Sequence, residues 1–271
     1  MKRQWYALPY GLWMLMFTIV PLLFVVYYAF TDGSGAFTAA NFTKIFAPGY
    51  LTVLGDSLKL AFYCTVICLI IGYPTAYFLA SKDFSENKML VVLILLPMWM
   101  NFLLRTYAMM TILENNGLIN TLLEKLGMAK IQFIGTEGAV LLGMVYNFLP
   151  FMVLPIYTAL KKLEVGVIEA AEDLGANPIR VITRVVVPQS IPGVISGITM
   201  VFMPAVTTFA ITRLLSNGMI YLAGDMIEEF FITLNNRPAG SAMSLVMLVL
   251  ILITSLLLRS INPAERKGGR A

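Results

Sequence analysis

The sequence contains six apolar stretches, each about as long as the roughly 20 residues that a helix needs to cross the hydrocarbon core of a membrane. They lie near residues 9–30, 57–80, 89–112, 139–160, 191–212 and 241–258. The whole chain is 59% hydrophobic and only 13% charged, whereas soluble domains carry roughly 25% charged residues. Because a soluble core does not absorb so much apolar surface, part of the solvent must be lipid. We therefore predict an all-α integral membrane protein with six transmembrane helices, forming a single domain over residues 1–271.

The sequence lacks the residues that common catalytic and metal sites need. It has no histidine, and so it lacks both the most frequent metal ligand and the side chain that titrates near neutral pH. The two cysteines, Cys64 and Cys68, lie four residues apart in an apolar stretch, where we expect them to be small apolar side chains on one helix face. We predict a non-enzymatic chain with no catalytic residue and no metal site.

The distribution of basic residues predicts the orientation of the chain in the membrane. With six spans, both termini lie on the same side, and twelve of the 19 lysines and arginines then fall on that side. The positive-inside rule identifies this side as the cytoplasm. Residues 161–190 form the longest loop on the same side. The first stretch, 9–30, is too long for a signal-peptide core and has no small-residue cleavage pattern after it, so we expect it to be retained as a span.

The loop at 161–190 is predicted to contain two short helical units. In the first unit, acidic side chains point away from an apolar face formed by Val167, Ile168, Ala171 and Leu174. Gly175 suits the end of this helix, where a left-handed residue is needed. Asn177 and Pro178 are typical of an N-cap and a first helical position, so they begin the second unit. The composition by itself is also that of an amphipathic connector lying on the membrane surface.

This loop resembles the EAA loop of type I, binding-protein-dependent ABC importer permeases. The resemblance consists of Glu-Ala-Ala at 169–171, Gly175 and Val-Val-Val-Pro at 185–188. The family pattern ends in Ile-x-Leu-Pro, so the valines here are a mild departure. The resemblance implies the type I permease fold and a coupling helix that sits in a groove of the ATP-hydrolysing subunit. The residues that it assigns to this contact are Glu169, Ala170, Ala171, Asp173, Gly175 and Pro188.

The same resemblance predicts the partners of the chain. They are a second homologous permease, two ATP-binding subunits, an extracytoplasmic solute-binding protein and the lipid bilayer of the bacterial inner membrane, with no nucleic acid. The sequence contains no G-x-x-x-x-G-K-[ST] phosphate loop, so the chain lacks the backbone cradle that such loops form around ATP phosphates. We expect this chain to bind no cofactor, and ATP and magnesium to be held by the partner ATPase subunits.

Aromatic and polar residues in the third and fourth stretches are candidates for the wall of a substrate pathway. They are Trp99, Asn101, Arg105, Tyr146 and Tyr157. If the third stretch is one straight helix, Trp99 and Thr106 share one of its faces. Aromatic faces attract organic cations, but the same rings are also typical of helix packing or of an interfacial belt. An arginine at this depth is a functional candidate by default. Arg105 can equally snorkel outward or pair with Glu114, so its role stays open.

The outer loop before the last span carries three acids at helical spacing, Asp225, Glu228 and Glu229. They form either a solvated helix face or a negative potential that concentrates cations at the outer mouth.

The chain as a whole resembles the spermidine/putrescine branch of these permeases, through the segment "PMWMNFLLRTYA" and residues 117–120 and 169–176. This resemblance implies a polyamine substrate. The alternatives are an opine, iron or amino-acid-like solute carried by the same class of importer, or an ion-coupled secondary transporter. Arg213 is a departure from what a cation pathway would require.

Overall fold

The computed structural model describes residues 8–81 and 88–261, and these fold into helices with one isolated antiparallel bridge between Thr31 and Phe37. In chain order the helices are α1 (Pro9–Ala29), α2 (Ala40–Ile45), α3 (Pro48–Ala80), α4 (Lys88–Trp99), α5 (Phe102–Leu113), α6 (Leu118–Lys125), α7 (Glu137–Leu160), α8 (Val165–Asp173), α9 (Pro178–Val206), α10 (Ala210–Leu215), α11 (Ala223–Glu228) and α12 (Arg237–Ile261).

Five helices are long and apolar enough to cross a membrane, namely α1, α3, α7, α9 and α12. The predicted third span is present as a bent pair, in which α4 makes an angle of 94° with the segment Phe102–Lys125, formed by α5 and α6, across a short break. Counted as one span, this pair gives the six predicted transmembrane segments. Six of the basic residues behind the predicted orientation lie outside the described residues: Lys2, Arg3, Lys82, Arg266, Lys267 and Arg270.

Helix α7 forms the centre of the bundle. Its most apolar window is 61% buried, whereas that of α1 is only 6% buried, so α1 lies at the periphery, where it contacts α12. Two glycines on α9 explain the close packing at the centre. A Cβ atom at Gly193 would meet the Pro155 carbonyl oxygen at 2.8 Å, and one at Gly197 would meet Met152 Sδ at 2.7 Å. Small residues four apart let helices approach closely in membranes.

The long helices define two ends of the bundle. Helix α3 has 33 residues and is therefore about 50 Å long. It runs parallel to α7, because Lys59 pairs with Glu137 near their beginnings while Tyr77 lies beside Leu160 near their ends. We call the end that carries residues 161–190 the loop end and the end that carries Tyr50 and Glu137 the far end.

Two helices widen by one π-helical turn just before a proline. In α1 the Val20 amide donates to the Leu15 carbonyl before Pro21, and in α9 the Val187 amide donates to the Ile182 carbonyl before Pro188. A proline lacks an amide donor and its ring clashes with the carbonyl four residues earlier. The wider turn keeps both helices continuous through these positions.

Candidate functional site

Helix α8 in the predicted coupling loop ends in a Schellman motif. The Gly175 amide donates to the Glu172 carbonyl at 2.8 Å, and the Ala176 amide donates to the Ala171 carbonyl at 3.1 Å. Gly175 has φ +81°, which is the left-handed conformation that this motif requires and that an L side chain adopts only at a cost. The helix end predicted at Gly175 is therefore confirmed.

The next helix begins as the sequence predicts, but it is longer than expected. The Asn177 side chain accepts a hydrogen bond from the Arg180 amide at 2.9 Å, and Pro178 occupies the first helical position. The prediction of a second short unit in a loop that ends at residue 190 is wrong, because α9 runs from Pro178 to Val206 without interruption. Helix α9 also ends at Val206, before residue 212, where the fifth span was predicted to end, because Ala210–Leu215 form the separate helix α10. Pro188 is thus an exposed residue inside a long helix and not a loop residue.

Part of the predicted apolar face of α8 is packed against the protein core, and the rest is exposed. Ile168 and Ala171 are half-buried against the core, but Leu174 is 89% exposed and Ile179, at the start of α9, is 72% exposed. These two large apolar side chains project from the loop end without a core to cover them. Glu169, Ala170 and Asp173 are exposed on the same segment.

A cavity of about 490 Å³ separates α8 from the ends of α3 and α7. Glu169 and Glu172 line it together with Tyr77, Ser81 and Lys161. Near it, the Tyr73 and Ser190 hydroxyls lie 2.9 Å apart and connect α3 to α9. The loop helix therefore packs against the start of α9, which is itself linked to α3, while its outward surface stays open.

Two of the predicted pathway residues lie at or next to the break between α4 and α5. Asn101 caps α5, because its side-chain oxygen accepts hydrogen bonds from the amides of Leu103 and Leu104. Trp99 lies at the end of α4 and is 82% exposed, whereas Thr106 is fully buried. The expectation that Trp99 and Thr106 share one helix face is wrong, since the helix axis bends between them.

Arg105 is buried and bridges the break to α7. Its Nε donates to Asn147 Oδ1 at 2.7 Å and its Nη1 donates to the Pro97 carbonyl at 2.7 Å. Only 5% of its surface is exposed, so it does not snorkel outward, and these hydrogen bonds involve α4 and α7, not Glu114. The last carbonyls of α4 lack amide donors from a following helical turn, and the guanidinium supplies a donor to one of them.

Asn147 is a residue that the sequence prediction missed. It is fully buried, and its amide nitrogen donates to the Gly143 carbonyl at 2.8 Å while its oxygen accepts from Arg105. A single amide within the apolar run "VYNFLPF" was the available signal. Buried polar side chains are found almost always with hydrogen-bond partners, so a partner on another helix could have been sought.

The two predicted tyrosines of α7 do not form one cluster with the break. The Tyr146 ring lies beside Arg105, with 5.8 Å from the guanidinium carbon to the ring centroid. Tyr157 lies beside Lys161, at 5.9 Å from Nζ to the centroid. Eleven residues of helix separate the tyrosines by about 16 Å, so they occupy different depths.

The acidic residues of the far end are close together but have different partners: Asp225 and Glu228 lie on α11, and Glu229 begins the π-helical turn, Glu229–Thr233, that follows it. Glu228 forms an ion pair with Arg213 on α10, which accounts for the arginine that had seemed out of place near a cation pathway. Glu229 accepts a hydrogen bond from the Tyr221 hydroxyl. Burial, and then this hydrogen bond, raises the pKa of Tyr221, so the phenol remains a donor.

Asp225 is the third residue of α11, and its side chain reaches back to cap the N-terminus of that helix. Its carboxylate accepts a hydrogen bond from the Leu222 amide at 2.9 Å. Burial raises the pKa of Asp225 to about 6, against the lowering effect of the Leu222 amide and of Thr212. The negative potential of this region is therefore smaller than three full charges, because Glu228 is paired with an arginine.

Comparisons with known proteins agree on one class. The family model described as binding-protein-dependent transport system inner membrane component matches residues 2–267. The chain is 38% identical over 247 residues to the spermidine/putrescine transport system permease protein PotB of Haemophilus influenzae, covering 88% of this chain and 86% of that protein. The identity to the protein of the same description from Escherichia coli strain K12 is 34%, over 88% of this chain and 90% of that one.

Solved structures show the same fold at low sequence identity. A bacterial ABC transporter involved in the import of the acidic polysaccharide alginate has a chain with TM-score 0.77 and 18% identity, covering 96% of this chain and 97% of that chain. The MetNI methionine ABC transporter, in an inward-facing conformation, has a chain with TM-score 0.55 and 16% identity, covering 77% and 90%.

Proposed function

The chain belongs to the family of binding-protein-dependent transport system inner membrane components, and from this premise we propose that it is a permease subunit of an ATP-driven importer for polyamines such as spermidine and putrescine. It is a multi-pass protein of the inner membrane. The observation that carries the substrate proposal is the 34–38% identity, over 88% of the chain, to two permeases described as transporting spermidine and putrescine.

In the proposed assembly, this chain pairs with a second permease around a common pathway. Two ATP-binding subunits hold the coupling helices, and a solute-binding protein docks on the opposite face. ATP and magnesium are bound by those ATP-binding subunits. Closure of the subunits around ATP would move α8 and, through its contact with α9, switch the access of the pathway. The contact residues are Glu169, Ala170, Ala171, Asp173, Gly175 and Pro188.

The surface of the loop end supports this docking role. Leu174 and Ile179 are large apolar side chains with most of their surface exposed. Such residues are typical of an interface when they occur together on one surface. They flank Gly175, whose missing side chain lets a partner approach the backbone closely.

We infer that the loop end faces the cytoplasm, and site-specific labelling tests this orientation. With Cys64 and Cys68 replaced by alanine, single cysteines are introduced by Leu174→Cys at the loop end and Leu126→Cys, in a residue that is 75% exposed, after α6. A membrane-impermeant maleimide added to intact spheroplasts should label only the second variant. Labelling of the first variant alone would reverse the orientation.

Uptake by the complete transporter tests the substrate proposal. The chain is co-expressed with its ATP-binding subunits, second permease and binding protein in a strain without polyamine uptake, and radiolabelled spermidine is measured with and without competing solutes. We expect ATP-dependent spermidine uptake that putrescine inhibits and that opines, ferric iron and amino acids leave unchanged. Inhibition by one of those solutes without spermidine uptake would assign the importer to that solute. Uptake by this chain alone, driven by an ion gradient, would refute the importer class.

A further inference from the structure

A pocket of about 340 Å³ at the far end combines three aromatic rings with one carboxylate. Tyr50, Tyr221 and Phe230 supply the rings and Glu229 supplies the carboxylate, with Gly49, Met226 and Leu234 completing the lining. The sequence prediction included Glu229 only as one member of an acidic cluster. Tyr50 was not recognised as a neighbour of Glu229, because 179 residues separate the two in the chain.

The fold brings these residues together from three places. Tyr50 lies in the first turn of α3, Tyr221 precedes α11 and Phe230 follows it. The rings of Tyr50 and Phe230 are stacked, with 6.2 Å between their centroids and 20° between their planes. Ala223 is fixed to α3 by its amide, which donates to Ser57 Oγ at 2.8 Å. This contact between α11 and α3 holds the two sides of the pocket at a defined separation.

The charges around the pocket single out Glu229 among the three acids of the far end. Glu228 is neutralised by Arg213, and Asp225 is engaged in capping α11. Among the described residues, the ion pairs at this end of the bundle do not involve Glu229, whose partner is the neutral phenol of Tyr221. A half-buried carboxylate with only a neutral partner keeps its full attraction for a cation.

We propose that this pocket binds the primary ammonium group at one end of an alkylammonium solute. Aromatic faces attract ammonium groups through their quadrupole, and the carboxylate accepts their hydrogen bonds. One carboxylate among aromatic rings is a poor ligand set for a hard divalent metal ion, which prefers six or more oxygen ligands. The carboxylate also disfavours anions. The pocket volume suits one end of an extended amine rather than a whole polysaccharide or peptide.

The proposal deepens the polyamine import proposed above and rests on it for its biological role. In that setting the pocket would receive one ammonium end of the solute at the far end of the bundle. Its position beside the start of α3 places it next to a helix whose other end borders the coupling-loop cavity.

Binding of a minimal probe tests the pocket directly. The probe is propylammonium, and its neutral analogue is 1-propanol, which has the same carbon chain. Saturation-transfer NMR with the complete transporter in lipid nanodiscs measures both. Glu229→Gln should weaken propylammonium binding by about tenfold and leave 1-propanol unchanged, a size that corresponds to one desolvated cation–π or charge contact. Glu124→Gln is the matched control, because Glu124 is an exposed acid paired with Lys130 at 3.5 Å, away from the pocket.

Two further variants separate loss of the site from loss of the fold. Tyr221→Phe removes the hydroxyl and keeps the ring, so propylammonium binding should stay within about twofold of the original or become tighter. Tyr50→Leu removes an aromatic ring and should weaken propylammonium binding. Unchanged binding in Glu229→Gln, or an equal loss in Glu124→Gln, would overturn the proposal.

Spermidine uptake by the same preparations distinguishes this inference from the proposed function. If the original transporter takes up spermidine but propylammonium binding does not depend on Glu229, the pocket proposal fails and the polyamine proposal stands. If propylammonium binds in a Glu229-dependent manner but spermidine is not taken up, the pocket proposal stands and the polyamine proposal fails. If both hold, Glu229→Gln should raise the KM for spermidine by about tenfold, more than it changes kcat.

Discussion

Replacing Asn147 with leucine should destabilise the protein because it takes away a hydrogen-bond partner of the buried guanidinium of Arg105. The Nε–Oδ1 distance is 2.7 Å and Asn147 is fully buried. A hydrogen bond to a charged group contributes about 1.5–3 kcal/mol to stability. We expect Asn147→Leu to lower the free energy of unfolding by about 3 kcal/mol, at the upper end of that range, because Arg105 is 5% exposed and finds no water to replace the lost acceptor.

A double-mutant cycle isolates this interaction. Arg105→Leu alone should also be destabilising, since it leaves the buried Asn147 side-chain oxygen without its donor and takes one of two donors from the Pro97 carbonyl. The double variant removes the cation and its acceptor together, so its loss should be smaller than the sum of the two single losses. The expected coupling energy is about 1.5–3 kcal/mol, whereas neutral hydrogen bonds between membrane helices average about 0.6 kcal/mol.

The two native cysteines provide the assay. Cys64 and Cys68 are fully buried, so a fluorogenic thiol reagent labels the protein only when the helices separate. Labelling during a denaturant titration in mild detergent gives the unfolding free energy of each variant. A coupling energy of about 0.6 kcal/mol or less would show that Arg105 is no more than an ordinary packing residue at this position. Thr158→Ala, at an exposed position of the same helix, is the control. If Asn147→Leu destabilises the protein no more than this control, the proposed contribution of the Arg105–Asn147 hydrogen bond is refuted as well.

Three other predictions concern the loop end, the helix packing and the far end. Gly175→Ala forces an L side chain into φ +81°, which costs about 1–2 kcal/mol of conformational energy. It should reduce uptake several-fold while ATP hydrolysis continues. The measurement is the amount of ATP consumed per solute imported. Gly197→Ala should lower the unfolding free energy by about 1–3 kcal/mol, because its Cβ would lie 3.1 Å from the Met152 carbonyl oxygen and 2.7 Å from Sδ. The free energy of unfolding of the unmodified protein should fall as the pH rises from about 4 to about 6, and Asp225→Asn should abolish this fall. In the folded protein the pKa of Asp225 is raised from 3.8 to about 6, so the folded state binds the proton more tightly than the unfolded state and loses that advantage as pH rises.

Each of these predictions has a control and a contradicting result. The control for Gly175→Ala is Gly166→Ala in α8, where an added Cβ atom meets no atom within 4 Å, so this variant should keep uptake coupled to ATP hydrolysis. Equal uncoupling in both variants would contradict the role of the turn. Gly55→Ala has similar open space, and a loss equal to that of Gly197→Ala would contradict tight packing. An unchanged pH profile in Asp225→Asn would assign the titration to another group.

Local chemistry explains why part of this structure follows from the sequence alone. The apolar stretches are long enough to span a bilayer whatever they pack against, so the helical class and five of the six spans could be predicted without a partner. The turn at Gly175 and the cap at Asn177 depend on neighbours within four residues, and both lie where the sequence indicated. The resemblance at 169–175 identified the family for the same reason, since that motif is read along the chain.

The tertiary structure alone determined which side chains meet. The rotation of a helix about its axis depends on its neighbours, so the sequence could not place Arg105 against Asn147, 42 residues away, or remove Trp99 from the face of Thr106. The break at residues 100–101 puts an angle of 94° between α4 and residues 102–125, and that bend redirects every residue after it. In the same way, only the tertiary structure pairs Arg213 with Glu228 and stacks Tyr50 on Phe230 beside Glu229. These polar and aromatic side chains have their partners on other helices, and the sequence of one helix does not specify them.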